Sequence, residues 1–321
     1  QKMARFLWDA TQKSRKSESD TTKPKSEKME KIRIMKAKQA FFFGVLALSF
    51  SGISAFDWPQ NEIMSDSFYS YFGQLRGGTI STSLVFSESK EVKAAESGHI
   101  LAVIAEHDED DLFDSTLGNA VIISHNDKLA TVYANLEDEN QDELFETTEI
   151  ESGTRLGTTS NSGWQTGEAC LEFQVLDLKN QTYVNPRILM PRIGNELELT
   201  IKNISAVNKK GERFDFNTTK NLQAGTYLLY RERQEIAMPY KTTVFVNGAA
   251  ADSITYDTLI NKDGRICVNG KKTYSADVIY PDAQRHFLGE IMLPRGKTTV
   301  SVLVQDILGK EKQLTYTIEA R

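Results

Sequence analysis

From Phe56 onward the chain offers no convincing helical stretch of ten residues or more. Its apolar residues alternate, or run as β-branched tracts, in TISTSLVFS (79–87), HILAVIAE (99–106), NAVIISH (119–125), LATVYANL (129–136), CLEFQVLDL (170–178) and ELELTIKNI (196–204). Turn signals separate these tracts at short spacing, at Gly77-Gly78, Ser97-Gly98, Gly118-Asn119, Ser152-Gly153 and Ser162-Gly163. A repeat of two places successive side chains on opposite faces of a strand, so the pattern predicts an all-β chain. Residues 137–150, EDENQDELFETTEI, read as a solvated acidic loop or a short helix. Two prolines in NPRILMPRIGN (185–195) close a first unit. Beyond it, GTYLLYRER, KTTVFVNG, GRICVNG and YSADVIY read as further strands, and a long final pair is joined across DILGKEK. That closing hairpin suits an immunoglobulin-like β-sandwich, and roughly 125 residues suffice for such a domain to have its own core.

The segment before Phe56 reads differently. Residues 1–28 are rich in Lys, Ser and Thr without apolar periodicity, and are expected to be disordered or untranslated. Residues 29–55 read as a signal peptide. Lys31, Arg33, Lys36 and Lys38 precede an apolar run, Ala40 to Phe50, and Ile53-Ser54-Ala55 ends in small residues. A bilayer span needs about 20 apolar residues, so this run is short for an anchor, the alternative reading. Export to a periplasmic or cell-envelope space is expected, with no stable membrane span once the signal is cleaved. The whole chain holds 38 Lys+Arg and 44 Asp+Glu. Of these, 12 and 5 precede residue 56, leaving 26 and 39 and a net charge of −13. A surface so acidic is a poor match for nucleic-acid phosphates. The two cysteines, Cys170 and Cys267, fall in separate predicted domains, which disfavours a disulfide between them.

In GEACLEFQV (167–175), Cys170, Glu172 and Gln174 share one strand face and Leu171, Phe173 and Val175 the other. Here the chain resembles a known family. Residues 72–191 are similar to the LytM/lysostaphin-type zinc endopeptidases that cut peptidoglycan cross-links. FGQLRGGTISTSLVF stands in the place of the family's opening stretch, which carries His-x-Gly-x-Asp. LGNAVIISHNDKLATVYANL matches Gly-Asn-x-Val-x-Ile-x-His followed by a tyrosine and Ala-His-Leu. IESGTRLGTTSNSGWQTGEACLEFQV matches the glycine turns leading to His-Leu-His-Phe, and YVNPRILMP the closing Asn-Pro. The resemblance implies a LytM-like antiparallel β domain, taken over 56–191; the strands after it make the immunoglobulin-like β-sandwich over 192–321.

The same alignment places the family's zinc ligands at Thr79, Ser83 and Glu172, and its two assisting histidines at Asn135 and Cys170. All five positions are changed. A catalytic zinc needs three protein ligands and an open position, and neutral hydroxyls serve poorly. The reading is therefore a domain without catalytic residues or a metal cofactor, its old groove marked by Asn135, Cys170, Glu172 and Trp164. Zinc held by replaced ligands is the competing reading. Glu172 beside Cys170 opposes thiolate formation, which argues against a cysteine nucleophile. Of the histidines, His125 reads as structural. His107 lies in EHDEDDLFD, which lacks the spacing of a calcium loop. His99 and His286 have no evident partners in the sequence.

Three functions are open on the sequence. The first is a catalytically inactive envelope module for binding, scaffolding or regulation in cell-wall metabolism. The resemblance implies peptidoglycan or a cell-wall hydrolase as its partner, and the acidic 137–150 segment suits a basic one. The second is an atypical zinc peptidoglycan endopeptidase. The third is a structural or surface adhesion-type protein.

Overall fold

The alternation of the Glu172–Asp177 strand decides how the first domain packs. Leu171, Phe173 and Val175 are fully buried in a core with Phe86, Val121, Ile123, Tyr133 and Leu136. In this computed structural model, residues 56–105, 115–126, 128–137, 141–163 and 170–321 are described. The expectations for 1–28 and 29–55, and those for His107 and Trp164, lie outside them. Among the described residues no helix is long and apolar enough to cross a membrane.

The main sheet runs Glu149–Ile150, Gly98–Ile104, Asn119–Ser124, Leu129–Leu136, Glu172–Asp177, Thr182–Val184 in order. Leu84–Phe86 takes the rest of the Glu172–Asp177 edge, with Glu172 opposite Val85, and Phe68–Ser70 pairs outside it. Within the acidic 137–150 segment, Gln141–Glu146 is a short helix.

The second domain is an immunoglobulin-like sandwich of two sheets. One holds Arg213–Asp215, Ser205–Asn208, Gly225–Glu232 and Arg285–Leu293. The other holds Asn221–Leu222, Glu311–Ala320, Gly296–Gln305, Lys241–Val246 and Ala249–Thr255. Alternate residues of Gly296–Gln305 (Val300, Val302, Val304) meet Leu229, Val244, Leu288 and Ile291 in its core. The final hairpin pairs Gly296–Gln305 with Glu311–Ala320 along their full length. Its turn is set by Asp306, whose Oδ1 accepts the N–H groups of Leu308 (2.9 Å) and Lys310 (2.8 Å), and by Gly309 at φ +92°.

Three tracts depart from the sequence expectation. TISTSLVFS divides into Thr79–Ile80 and Leu84–Phe86. Between them the Ser81 hydroxyl bonds to the Ser83 backbone, and such local bonds compete with a strand ladder. ELELTIKNI forms no strand before Ser205. The Thr200 N–H there goes to the Gln234 side chain, not to a neighbouring strand. YSADVIY turns from the strand Thr273–Ser275 into the short helix Ala276–Ile279.

The least expected feature is an arm. Between Ala249–Thr255 and Arg285–Leu293 the chain leaves the sandwich and adds Thr258–Lys262, Arg265–Asn269 and Thr273–Ser275 to the first domain's sheet. Leu259 pairs with Tyr183, the Asn185 N–H donates to Asp257 O (2.8 Å), and the Asn185 Nδ2 to Tyr256 O (2.8 Å). A further core joins Phe72 and Ile80 of the first domain to Tyr230, Ile254, Tyr256, Leu259, Tyr280 and Phe287. Residues 56–191 and 192–321 therefore share both a sheet and a core.

That junction holds a buried cation beside a histidine. Arg231 and His286 are each 1 % exposed. The Arg231 Nε and Nη2 face His286 Nδ1 at 3.4 and 3.3 Å, and its Nη1 donates to Thr200 O. With Nδ1 accepting, His286 Nε2–H donates to Tyr256 Oη (2.8 Å), and Tyr280 stacks on the ring at 5.0 Å. Burial, then Arg231 and Arg233, hold the His286 pKa well below its ordinary 6.5. Burial brings Arg231 down to about 10, so it stays charged at neutral pH. In the unfolded chain His286 takes a proton near pH 6.5, which the folded chain refuses. Stability is thus full above that pH and falls as pH drops, by about 1.4 kcal/mol per unit for one proton. Urea midpoints between pH 7 and 5 are expected to show this slope, reduced in His286→Gln. An equal slope in the variant would remove His286 as its source.

Candidate functional site

Glu172 opens its strand on the face opposite the core, and is only 4 % exposed. A carboxylate so placed requires a cation or several donors. It meets the guanidinium of Arg76, whose Nη1 lies 2.8 Å from Oε1 and Nη2 3.1 Å from Oε2. The same Nη1 donates to Ser83 Oγ at 3.1 Å. Ser83 is 1 % exposed and also contacts the Ser81 hydroxyl at 3.3 Å. One planar fork thus joins two of the three positions that the resemblance assigns to metal ligands.

Arg76 comes from a small hairpin, Leu75–Arg76 paired with Thr79–Ile80, turned by Gly77 and Gly78 at φ +57° and +80°. Two successive residues at positive φ favour glycine. Thr79, the third ligand position, is the cross-strand partner of Arg76. It is exposed and lines an open cleft with Arg265 and Asp277 of the arm.

Asn135 is a structural clasp. It is fully buried at φ +67°, a conformation asparagine tolerates better than most residues. Its Nδ2 donates to Cys170 O (2.7 Å) and its Oδ1 accepts the Gly163 N–H (2.8 Å). Its backbone ties Leu117 O to the Ser160 N–H. The side chain thus joins the end of Leu129–Leu136 to the two segments that lead into Glu172. Cys170 and Cys267 are both buried, and no disulfide joins them. His125 bonds Ser97 O and Thr131 Oγ1, each at 2.9 Å, in a structural role. His99 is exposed, 3.7 Å from Glu149.

These residues do not fit a catalytic zinc. Among the described residues no group of three or more His, Cys, Asp or Glu is placed to hold a metal. Both Glu172 oxygens face Arg76, so a metal there would meet a positive charge. Sequence reasoning passed over Arg76. Its signal was a carboxylate, Glu172, standing on a strand where the resemblance places a metal-ligating histidine, which demands a compensating cation from elsewhere in the chain.

The family model for Peptidase family M23 matches residues 81–186, spanning Ser83, Asn135, Cys170 and Glu172 but not Thr79. The first domain is a LytM-type M23 domain whose metal-ligand positions are substituted. A second family model, without a description, matches residues 198–321. An uncharacterized protein of Treponema pallidum (strain Nichols) is 34% identical over 138 residues, which are 39% of this chain and 92% of that protein. The chain belongs to the same family as that treponemal protein. Several solved structures are similar at lower identity, two of them as follows. The SpoIIIAH and SpoIIQ complex gives 16% identity and TM-score 0.32, over 41% of this chain and 96% of that one. The catalytic domain of EnpA, a prophage-encoded M23 protein from Enterococcus faecalis, gives 20% and 0.30, over 40% and 95%.

Proposed function

We propose that this protein is a catalytically inactive M23-type module that binds a partner in the exported cell envelope, in the setting of peptidoglycan metabolism. The observation that carries this reading is the Arg76 fork on Glu172 and Ser83. A guanidinium offers no Lewis acidity and activates no water, so the position that would polarise a scissile amide instead holds an ion pair. What persists is a shaped, partly apolar sheet face beside that pair, where Ile122, Leu176 and Ile104 pack around Ala120, Val132 and Ala134. Such a face suits recognition.

Metal analysis of purified residues 56–321 after mild dialysis tests the reading. Near-zero zinc in a folded sample is expected. About one zinc per chain, lost in Glu172→Ala or Cys170→Ser, would overturn it and restore the endopeptidase reading.

A further inference from the structure

We propose that the Arg76 hairpin is a plug held in place by the second domain, so that the sandwich controls access to the Glu172 face. The inference rests on the reading above that this face is a contact surface.

The hairpin's anchors lie in the second domain. Phe72 and Ile80, at its two ends, are 2 % and 1 % exposed and pack with Tyr256, Ile279 and Tyr280. The Gly73 carbonyl accepts the Tyr280 hydroxyl at 2.7 Å. A Cβ on Gly73 would come within 2.8 Å of the Tyr256 ring, so only glycine permits this approach. Gln74 Nε2 donates to Glu235 O at 2.7 Å, and its Oε1 accepts the Tyr71 N–H at 2.8 Å. One amide therefore ties first-domain backbone to second-domain backbone.

The Arg76 side chain reaches back to the Glu172 face. It is 22% exposed against 6% for Glu172, so the guanidinium is the more solvated member of the pair. Displacing it takes the guanidinium from Glu172 and Ser83 together, because one guanidinium contacts both. A shift of Tyr280, Tyr256 or Glu235 relative to the first domain moves the hairpin and with it the plug.

Hydrogen exchange on residues 56–321 tests this through Gln74→Glu and Tyr280→Phe. The first keeps the acceptor for Tyr71 and removes the donor to Glu235; the second removes the hydroxyl on Gly73. Each is expected to speed exchange at 73–81 by about tenfold, with the cores at 121–123 and 300–304 unchanged. The Glu172 carboxyl carbon signal is expected to shift in the direction seen in Arg76→Gln. Wild-type exchange at 73–81 in both variants, or faster exchange with an unmoved Glu172 signal, overturns the proposal. Zinc content is a separate readout, so failure of the inactive-module reading and failure of the plug are told apart.

Discussion

A fragment ending at Pro191 is expected to lose cooperative folding, although it contains the whole of the M23 match. The fully buried residues of its central core, among them Leu171, Phe173, Val175 and Tyr133, all lie within the fragment, though Ile193, Leu197 and Met238 also pack against that core from beyond it. Its periphery is incomplete. Phe72 and Ile80 lose Tyr256, Ile279 and Tyr280, and the Thr182–Val184 strand loses Thr258–Lys262. Exposing two large apolar side chains costs about 3–6 kcal/mol, comparable to the whole stability of many domains. The bared strand also becomes an open edge able to pair with other chains. Circular dichroism and two-dimensional NMR on 56–191 are expected to show broad melting, poor dispersion and concentration-dependent association. Two-state unfolding within about 5 °C of the full chain would show that the arm adds only a decoration.

The same boundary shows what the sequence makes legible. Alternation in CLEFQVLDL predicts a strand with Leu171, Phe173 and Val175 on its inner face, and all three are fully buried. LATVYANL is also a strand, but from Ala130 to Leu136 it is buried on both faces, so its period does not single out an inner one. Local turn chemistry reads equally well, as at Asp306 and Gly309. The arm does not, because GRICVNG has the same period whether it pairs with the sandwich or with Thr182–Val184 through its neighbour. Period fixes the face of a strand and says nothing about which sheet receives it. The substituted metal positions were visible as identities. Their replacement partner was not, because Arg76 and Glu172 are 96 residues apart and meet only through the tertiary fold. His286 was opaque for the same reason: Arg231, Tyr256 and Tyr280 reach it from three separate segments.

Asp252→Ala is expected to destabilise the chain by about 3–5 kcal/mol, through the point where the arm leaves and rejoins the sandwich. Asp252 is 3 % exposed. Its Oδ1 accepts the N–H groups of Ser253 (2.9 Å) and Lys271 (2.7 Å). Its Oδ2 accepts the Glu290 N–H (2.9 Å) and the Tyr274 hydroxyl. One carboxylate thus secures the arm, through Lys271 and Tyr274, to Arg285–Leu293, through Glu290. Burial and the Asp252 charge push the Tyr274 phenol well up, so it remains a donor at any working pH. Removing the carboxylate strands three backbone donors and a phenol in a site with little water, and each buried orphan costs about 1–3 kcal/mol before relaxation. Gly289 shows how closely the arrangement is packed, since a Cβ there would lie 3.0 Å from Asp252 Cβ and 2.7 Å from Val244 Cγ2. Asp252→Asn should lose about half as much, because an amide keeps one acceptor and can donate to the phenol oxygen. Urea unfolding of Asp252→Ala, Tyr274→Phe and the double variant measures the coupling, expected at about 1–3 kcal/mol. A single-variant loss under about 1 kcal/mol would mean that the arm is held by its apolar contacts alone. In that case Asp252 would only set the register of Lys271 and Tyr274.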